Sequence, residues 1–247
     1  MVTISLLLLA AAFLAGAMNS VAGGGSFLTL PALIYAGVPP VAANATGTVA
    51  LLPGYASGVY GYRNDLEPVG GVGLVTLSVV SLTGGLIGAA LLLVTPDTVF
   101  RSIVPWLLLA ATALFAFGGT LATRLRAVGL HGTGAMLATL FAVSVYGGYF
   151  NGGLGILLLA QLSLFGMTNL NAMNALKNLF SAVLTAIAVA AYAVGGAVEW
   201  PYAALMTVAA VAGGYAGARV GRKIPSRILR AGIIGVGLTM SALFFLK

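Results

Sequence analysis

The sequence predicts an all-α polytopic membrane protein: an inverted repeat of two halves, each with four long transmembrane helices and one short or broken helix. Three observations predict it, namely the composition, the number of long apolar stretches, and a pair of Gly/Asn-rich breaks at corresponding places. Of the 247 residues, 60% are hydrophobic and only 6% are charged, whereas a soluble domain carries roughly 25% charged residues. A chain this apolar needs a bilayer to cover its surface.

Apolar stretches define the predicted helices. A membrane-spanning helix needs about 20 apolar residues, and eight stretches qualify: 2–22, 41–61, 69–94, 99–121, 132–150, 171–194, 201–220 and 228–246. Two further stretches, 26–36 and 154–165, are too short for an ordinary span. The start of the chain lacks the basic region of a signal sequence, so we interpret it as a retained first span.

The two short stretches occupy corresponding positions. Gly23-Gly24-Gly25-Ser26 precedes the first and Gly152-Gly153-Leu154-Gly155 precedes the second. Each stretch is followed at the same spacing by a glycine, Gly37 or Gly166, and then by an asparagine, Asn44 or Asn174. This correspondence predicts an internal repeat of residues 1–123 and 130–247 within a single membrane domain.

The charges predict the orientation. If each short stretch crosses the membrane, each half has five crossings and the halves are inverted. With the N-terminus outside, the cytoplasmic side receives eight cations and the external side two, which obeys the positive-inside bias. The cytoplasmic set is Arg63, Arg124, Arg126, Arg219, Arg222, Lys223, Arg227 and Arg230, and the external set is Arg101 and Lys247. A re-entrant hairpin at each short stretch is the open alternative.

The breaks predict a binding site. Backbone groups freed inside a bilayer must be satisfied by protein or line a cavity, and paired breaks in two halves point to a substrate site. Half-helices beginning near Ser26 and Gly155 would direct their N-termini at an anion. Lys177 lies inside the apolar stretch 171–194 with no acid nearby in sequence, at a cost of roughly 3 kcal/mol at the bilayer centre. We predict that it is a counter-charge for substrate, snorkelling to the interface being the alternative.

Polar residues cluster behind both breaks. Asn44 and Asn174 are the paired amides, and the alternative role for them is helix capping or interhelical hydrogen bonding. The glycines permit close backbone approach to a ligand. The predicted substrate-binding set is Gly23, Gly24, Gly25, Ser26, Asn44, Thr46, Thr48, Asn151, Gly152, Gly153, Gly155, Asn174, Lys177 and Asn178.

Several other functions are disfavoured. The chain has no cysteine, one histidine and four acids, too few for a metal cage, and it lacks the GK[ST] ending of a P-loop. No nucleophile–base pair is evident, so we predict neither an enzyme nor a cofactor. The net charge of +7 reflects topology, not nucleic-acid binding. His131 is interpreted as a solvated interfacial residue and Tyr55 as an interfacial or packing residue.

At these positions the chain resembles a known family. The runs 22–31 and 37–48, together with 148–155, Gly166 and 174–178, resemble the paired motifs of the TauE/SafE family of membrane transporters. The resemblance implies a sulfite or organosulfonate as substrate, and it places the glycine clusters, Asn44, Thr46, Asn174 and Lys177 at signature positions. Leu154 interrupts the second glycine run, so the two sites need not be equivalent.

The combined prediction is a secondary transporter. It would move a small sulfur-containing anion across a prokaryotic cytoplasmic (inner) membrane by alternating access, in contact with lipid. An anion channel is the first alternative and a non-transport membrane assembly factor the second. A coupling ion (H⁺ or Na⁺) and a homodimer are left open.

Overall fold

Ten α-helices form the described part of the chain. A computed structural model describes residues 2–21, 23–127, 132–220 and 226–245. Across these ranges, β-type pairing is limited to an isolated bridge between Val69 and Val72, which confirms the all-α prediction. The helices are α1 Val2–Val21, α2 Ser26–Tyr35, α3 Pro40–Gly61, α4 Leu74–Val94, α5 Asp97–Ala127, α6 Thr133–Tyr149, α7 Leu154–Leu164, α8 Leu170–Val194, α9 Trp200–Val220 and α10 Ser226–Phe245. A 3-10 turn, Arg63–Asp65, follows α3.

Most of the basic side chains that predict the orientation lie outside the described part of the chain. His131, Arg222, Lys223 and Lys247 lie outside the described residues, and so do the side chains of Arg124, Arg126, Arg219, Arg227 and Arg230. The orientation of the N-terminus, which rests on those charges, therefore stays a prediction.

The helices follow the apolar stretches. Eight long helices lie on the eight predicted spans, and the short helices α2 and α7 lie on the two short stretches. Within the described ranges, four helices are long and apolar enough to cross a membrane by length and composition, at Thr3–Ser20, Leu74–Val94, Asp97–Leu114 and Leu170–Val194. Their presence supports a multi-pass membrane protein. Helix α3 is less apolar than these four segments, and it contains the polar residues Asn44, Thr46 and Thr48.

Capping sets where two of the central helices begin. Pro40 occupies the first turn of α3, where its missing N–H costs nothing. The Asp97 carboxylate, at the start of α5, accepts a hydrogen bond of 2.8 Å from the Val41 N–H. In α8 the N-cap Asn169 accepts from the Asn171 N–H at 3.0 Å. These caps satisfy helix-end donors that would otherwise be orphaned.

Glycines bring two pairs of helices into backbone contact. In α9, a Cβ at Gly213 would meet the Phe13 carbonyl of α1, and one at Gly217 would lie 2.7 Å from the Ala17 carbonyl. Since later residues of α9 meet later residues of α1, the two helices run in the same direction. The absence of side chains here permits the close approach typical of membrane helices.

The second pair is α4 and α6. A Cβ at Gly84 would lie 2.9 Å from the Phe141 carbonyl, and one at Gly88 would meet the Val145 carbonyl. These two helices therefore also run in the same direction. The pairing of α1 with α9 thus has a counterpart in the pairing of α6 with α4.

Helix α8 runs along both α4 and α3. Gly85 of α4 lies against Leu184, and Leu93 lies against Gly195 at the end of α8, so α4 and α8 run in the same direction. At the other end, Gly58 late in α3 packs on Asn178 early in α8. Thr46, early in α3, lies beside Glu199, just after α8 ends. Helices α3 and α8 are therefore antiparallel.

Two buried apolar clusters hold the bundle together. The larger includes Leu8, Phe27, Phe100, Phe150 and Tyr192, and the smaller groups Leu77, Leu140, Leu158, Leu176 and Phe180 around α7 and α8. Large apolar residues are also exposed on the outer surface, among them Leu6, Val75, Trp106, Val208 and Leu243. An apolar exterior of this kind is what a lipid-facing surface requires.

Candidate functional site

Both breaks are built from left-handed backbone. Before α2, Gly23 and Gly24 have φ of 83° and 94°. Before α7, Asn151 and Gly153 have φ of 61° and 72°, and Asn151 is the one non-glycine residue with positive φ among the described residues. Glycine adopts this region without steric cost, and asparagine tolerates it better than most residues. The breaks are therefore rich in glycine and asparagine because their backbone is left-handed.

The structure brings the two breaks into contact. A Cβ built on Gly23 would lie 3.4 Å from the Gly155 Cα and 3.6 Å from its nitrogen. Gly23 precedes α2 and Gly155 is the second residue of α7. The Gly155 N–H donates no backbone hydrogen bond to a described residue, although its neighbour Ile156 donates to the Gly153 carbonyl at 3.0 Å. A free helix-start donor thus lies where the two halves of the chain meet.

Lys177 reaches this point from α8. Its Cδ lies 3.3 Å and its Cγ 3.9 Å from the position of a Cβ on Gly155, so a side chain at residue 155 would crowd the lysine stem. Lys177 is only 3% exposed. It lies about 10 Å along α8 from the first residue, at 1.5 Å per residue. Its stem points toward the start of α7 and the interior.

The Lys177 ammonium has no partner among the described residues. No described residue forms a hydrogen bond or ion pair with it. The four acids of the chain, Asp65, Glu67, Asp97 and Glu199, all lie at helix ends or between helices. A buried cation of this kind favours an anion as its partner, because isolated charge is costly away from water.

Two further side chains of the predicted set, Asn178 and Ser26, have no hydrogen bond within the described part of the chain. Asn178 is 8% exposed and Ser26 is 5% exposed. The Asn178 amide packs directly against Gly58, where a Cβ would lie 2.6 Å from its Cγ. Among the described residues, the Lys177 ammonium and the Gly155 N–H are likewise donors without an acceptor, and the Lys177 stem lies against Gly155.

The second break is fixed by hydrogen bonds from α3 and α8. Asn44 donates to the Tyr149 carbonyl at 3.1 Å, which satisfies the end of α6. Asn151 accepts from the Tyr55 hydroxyl at 3.0 Å and donates to the Thr185 hydroxyl at 3.2 Å. Asn151 therefore links the two central helices, and its role in the structure is to hold the break in place.

Other predicted residues do not join this donor set. Asn174 is partly exposed and donates to the Leu170 carbonyl of its own helix at 2.9 Å. Thr48 donates to the Asn44 carbonyl at 2.7 Å. Thr46 accepts from the Glu199 N–H at 3.0 Å, immediately before α9 begins. Their contacts fit the capping and interhelical roles held open for the polar residues.

The remaining predicted glycines have packing roles. A Cβ at Gly25 would lie 2.7 Å from the Ala15 carbonyl, and one at Gly153 would lie 3.0 Å from the Ala111 Cβ. The carbonyl of Gly152 accepts from the Tyr146 hydroxyl at 2.6 Å. Gly24 supplies the backbone turn described above.

Two residues of the central network are absent from the predicted set. Tyr55 and Thr185 both bond to Asn151, at sequence separations of 96 and 34 residues. The sequence predicts an interfacial or packing role for Tyr55, but the residue is buried and its hydroxyl donates to the Asn151 side chain. One feature of the sequence could have identified Tyr55: it is a tyrosine in the middle of a predicted span, and a buried phenolic hydroxyl usually has a hydrogen-bond partner.

Comparison with known proteins gives a consistent result. The family model described as Sulfite exporter TauE/SafE matches residues 8–244. Probable membrane transporter protein YfcA from Escherichia coli K12 is 29% identical over 233 residues, 94% of this chain and 86% of that protein. A probable membrane transporter protein from Haemophilus influenzae is 25% identical over 238 residues, 93% and 90% of the two chains. Probable membrane transporter protein ORF9 from Sinorhizobium sp is 35% identical over 111 residues, covering 44% of this chain and 41% of that protein. No solved structure matches the chain.

Proposed function

Because the chain belongs to the TauE/SafE family of membrane transporters, we propose that it is a secondary transporter of a small sulfur-containing anion. The substrate is sulfite or an organosulfonate, and it crosses the cytoplasmic membrane by alternating access. The observation that carries the proposal is the placement of Lys177. This buried cation, which no described residue pairs, lies beside Gly155, where the two breaks meet.

The donors at this point suit an oxyanion. A sulfite or sulfonate group presents three oxygens that accept hydrogen bonds. The Lys177 ammonium and the Gly155 N–H, which lie together here, are donors that no described residue pairs. The start of α7 also contributes the positive end of a helix dipole. An anion bound here would neutralise Lys177 and satisfy donors that otherwise lack partners.

The helix directions support an inverted repeat. Matching the two halves pairs α1 with α6, α3 with α8 and α4 with α9. Helices α3 and α8 are antiparallel, α4 and α8 are parallel, and the contacts of α1 with α9 and of α4 with α6 are both parallel. Taking α3 as downward, α8, α4 and α6 run upward.

The net crossing made by each short helix follows from these directions. Since α5 connects α4 to α6 and both α6 and α8 run upward, α7 must return the chain downward between them. Helix α9 follows the upward α8, so it and its parallel partner α1 run downward, and α2 must return the chain upward before α3. Each half then has five crossings and opposite orientation, the arrangement in which transporters alternate access around a central site.

A ligand-dependent stability assay tests the anion site. Purified protein in detergent would be heated with sulfite, sulfoacetate, taurine or sulfate, since a ligand of the folded state raises the midpoint of unfolding. We expect at least one sulfur anion to raise the Tm of the wild type and to lose that effect in Lys177→Gln. Arg101→Gln removes an exposed cation at the start of α5 and is the matched control, which we expect to respond as the wild type does. An equal Tm shift in Lys177→Gln would contradict the proposed role of the lysine.

A second measurement separates a carrier from a channel. In proteoliposomes, a carrier exchanges labelled substrate against preloaded substrate with saturable kinetics. A channel instead gives a conductance at fixed voltage and no counterflow. We expect saturable counterflow of the anion identified in the stability assay. Conductance without counterflow would replace the carrier with a channel built on the same breaks.

A further inference from the structure

Lys177 raises a charge problem in the substrate-free protein. Its ammonium is buried, no described residue pairs with it, and the acids of the chain lie at helix ends or between helices. With an anion bound, the site is close to neutral. Without the anion, the protein would close around an isolated charge during the change of access, and a charge away from water is strongly disfavoured.

The surroundings of Lys177 offer no other way to balance the charge. Helices α4 and α7 carry no titratable side chain, and the segment 23–25 consists of glycines. Helices α3, α6 and α8 carry only phenols besides Lys177, and phenols are neutral in the physiological range. The 3-10 turn that contacts α8 carries one cation and one acid. Besides Lys177, the titratable groups of these helices and of the turn are Tyr55, Tyr60, Tyr146, Tyr149, Tyr192, Arg63 and Asp65.

We infer that Lys177 is also the proton-coupling group, so that each anion moves together with one proton carried on the lysine amine. This inference rests on the proposed transport function and extends it to the coupling ion. On one side, the neutral amine takes a proton from water and the resulting ammonium binds the anion. The loaded, neutral site turns to the other side, where the anion leaves and the ammonium releases its proton to water. The empty carrier then returns with a neutral amine.

Two consequences distinguish this cycle from uniport and from Na⁺ coupling. Cotransport of one proton with a monovalent anion moves no net charge, so a pH difference drives it and membrane voltage does not. Exchange of bound anion for bound anion needs no proton release, because the loaded carrier is the form that crosses in both directions. Counterflow should therefore continue when deprotonation is blocked, whereas net transport should stop.

The wild type is tested in proteoliposomes. The probes are ethanesulfonate, whose charge does not change through the neutral range, and sulfite, with protein-free liposomes as the correction for leak. With the external side more acidic, we expect accumulation of ethanesulfonate up to about tenfold for each pH unit, the limit for one proton per monovalent anion. Clamping the voltage with K⁺ and valinomycin should leave ethanesulfonate uptake unchanged, because its transport with one proton moves no net charge, and adding Na⁺ should not raise it.

Lys177→Arg separates coupling from binding. Arginine keeps the positive charge but does not release its proton in proteins. We expect the ratio of pH-driven net uptake to counterflow to fall at least about tenfold below that of the wild type, because only net uptake needs the proton to be released. Arg101→Gln is the control and should retain both activities.

The outcomes are distinguishable. Absence of counterflow by the wild type with both probes would overturn the proposed function. Counterflow without pH-driven accumulation, or net uptake by Lys177→Arg at the wild-type rate, would overturn the coupling role while leaving the transporter in place. If Lys177→Arg fails to fold, the wild-type pH and voltage measurements still decide the question.

Discussion

At the scale of single residues, Asn151 shows how the second break is held. It has a left-handed backbone with φ of 61°, is 2% exposed, and connects Tyr55 to Thr185 through its side-chain amide. A residue at this position must meet two requirements at once, tolerance of positive φ and one hydrogen bond in each direction. Asparagine is the residue type that meets both.

Substitution of Asn151 separates the two requirements. Asn151→Gly keeps the backbone freedom but leaves the buried Tyr55 and Thr185 hydroxyls without this partner, so we expect a loss of about 1–3 kcal/mol in the free energy of unfolding. Asn151→Ala loses the same bonds and adds about 1–2 kcal/mol for the left-handed conformation. Thermal unfolding in detergent measures both. An alanine variant as stable as the glycine variant would show that backbone strain is unimportant here.

The same residue shows what could be predicted from sequence. The glycines and asparagines marked the breaks, and the absence of acids around Lys177 predicted an unpaired cation, because these are local features of the chain. The partners Tyr55 and Thr185 could not be predicted, since they come from helices 96 and 34 residues away. Asn174 was paired with Asn44 by spacing, yet it bonds within its own helix.

At the scale of helices, hydropathy predicted the elements well and their ends less well. The stretch 69–94 was predicted as one span, but α4 begins at Leu74. The preceding Gly70 and Gly71 have φ of 56° and 79°, so these apolar residues form a turn. Helix α5 continues to Ala127, past the predicted repeat boundary at residue 123. Apolarity reports burial in protein or lipid, whereas helix ends depend on backbone conformation and caps.

Close packing of glycines between helices predicts that glycine-to-alanine changes alter stability in opposite directions at different positions. A Cβ at Gly213 or Gly88 would overlap a backbone carbonyl of the neighbouring helix, from Phe13 or Val145. Because a backbone cannot move aside as a side chain can, we expect Gly213→Ala and Gly88→Ala to lower the free energy of unfolding by about 1–3 kcal/mol. Gly134 in α6 has no atom within 4 Å of a built Cβ. There, Gly134→Ala should be neutral or stabilising by up to about 1 kcal/mol. Comparable losses in all three variants, measured by thermal unfolding, would contradict close helix packing.

At the scale of the whole molecule, the architecture depends on whether α2 and α7 cross the membrane. The absence of cysteine from the chain allows single cysteines to report sidedness directly. Tyr35 at the end of α2 and Thr168 before α8 are both exposed. If both short helices are net crossings in inverted halves, these positions lie on opposite sides of the membrane. If both are re-entrant hairpins, they lie on the same side, whichever way the N-terminus points.

Labelling with a membrane-impermeant maleimide distinguishes the two arrangements. We expect Tyr35→Cys and Thr98→Cys to react in intact cells, and Thr168→Cys and Asn64→Cys to react only after permeabilisation. Asn64 and Thr98 are exposed positions next to Arg63 and Asp97, and they fix the absolute orientation that the positive-inside bias predicts. Labelling of Tyr35→Cys and Thr168→Cys from one side would remove the inverted repeat. Opposite sides with all four assignments reversed would keep the repeat and place the N-terminus in the cytoplasm.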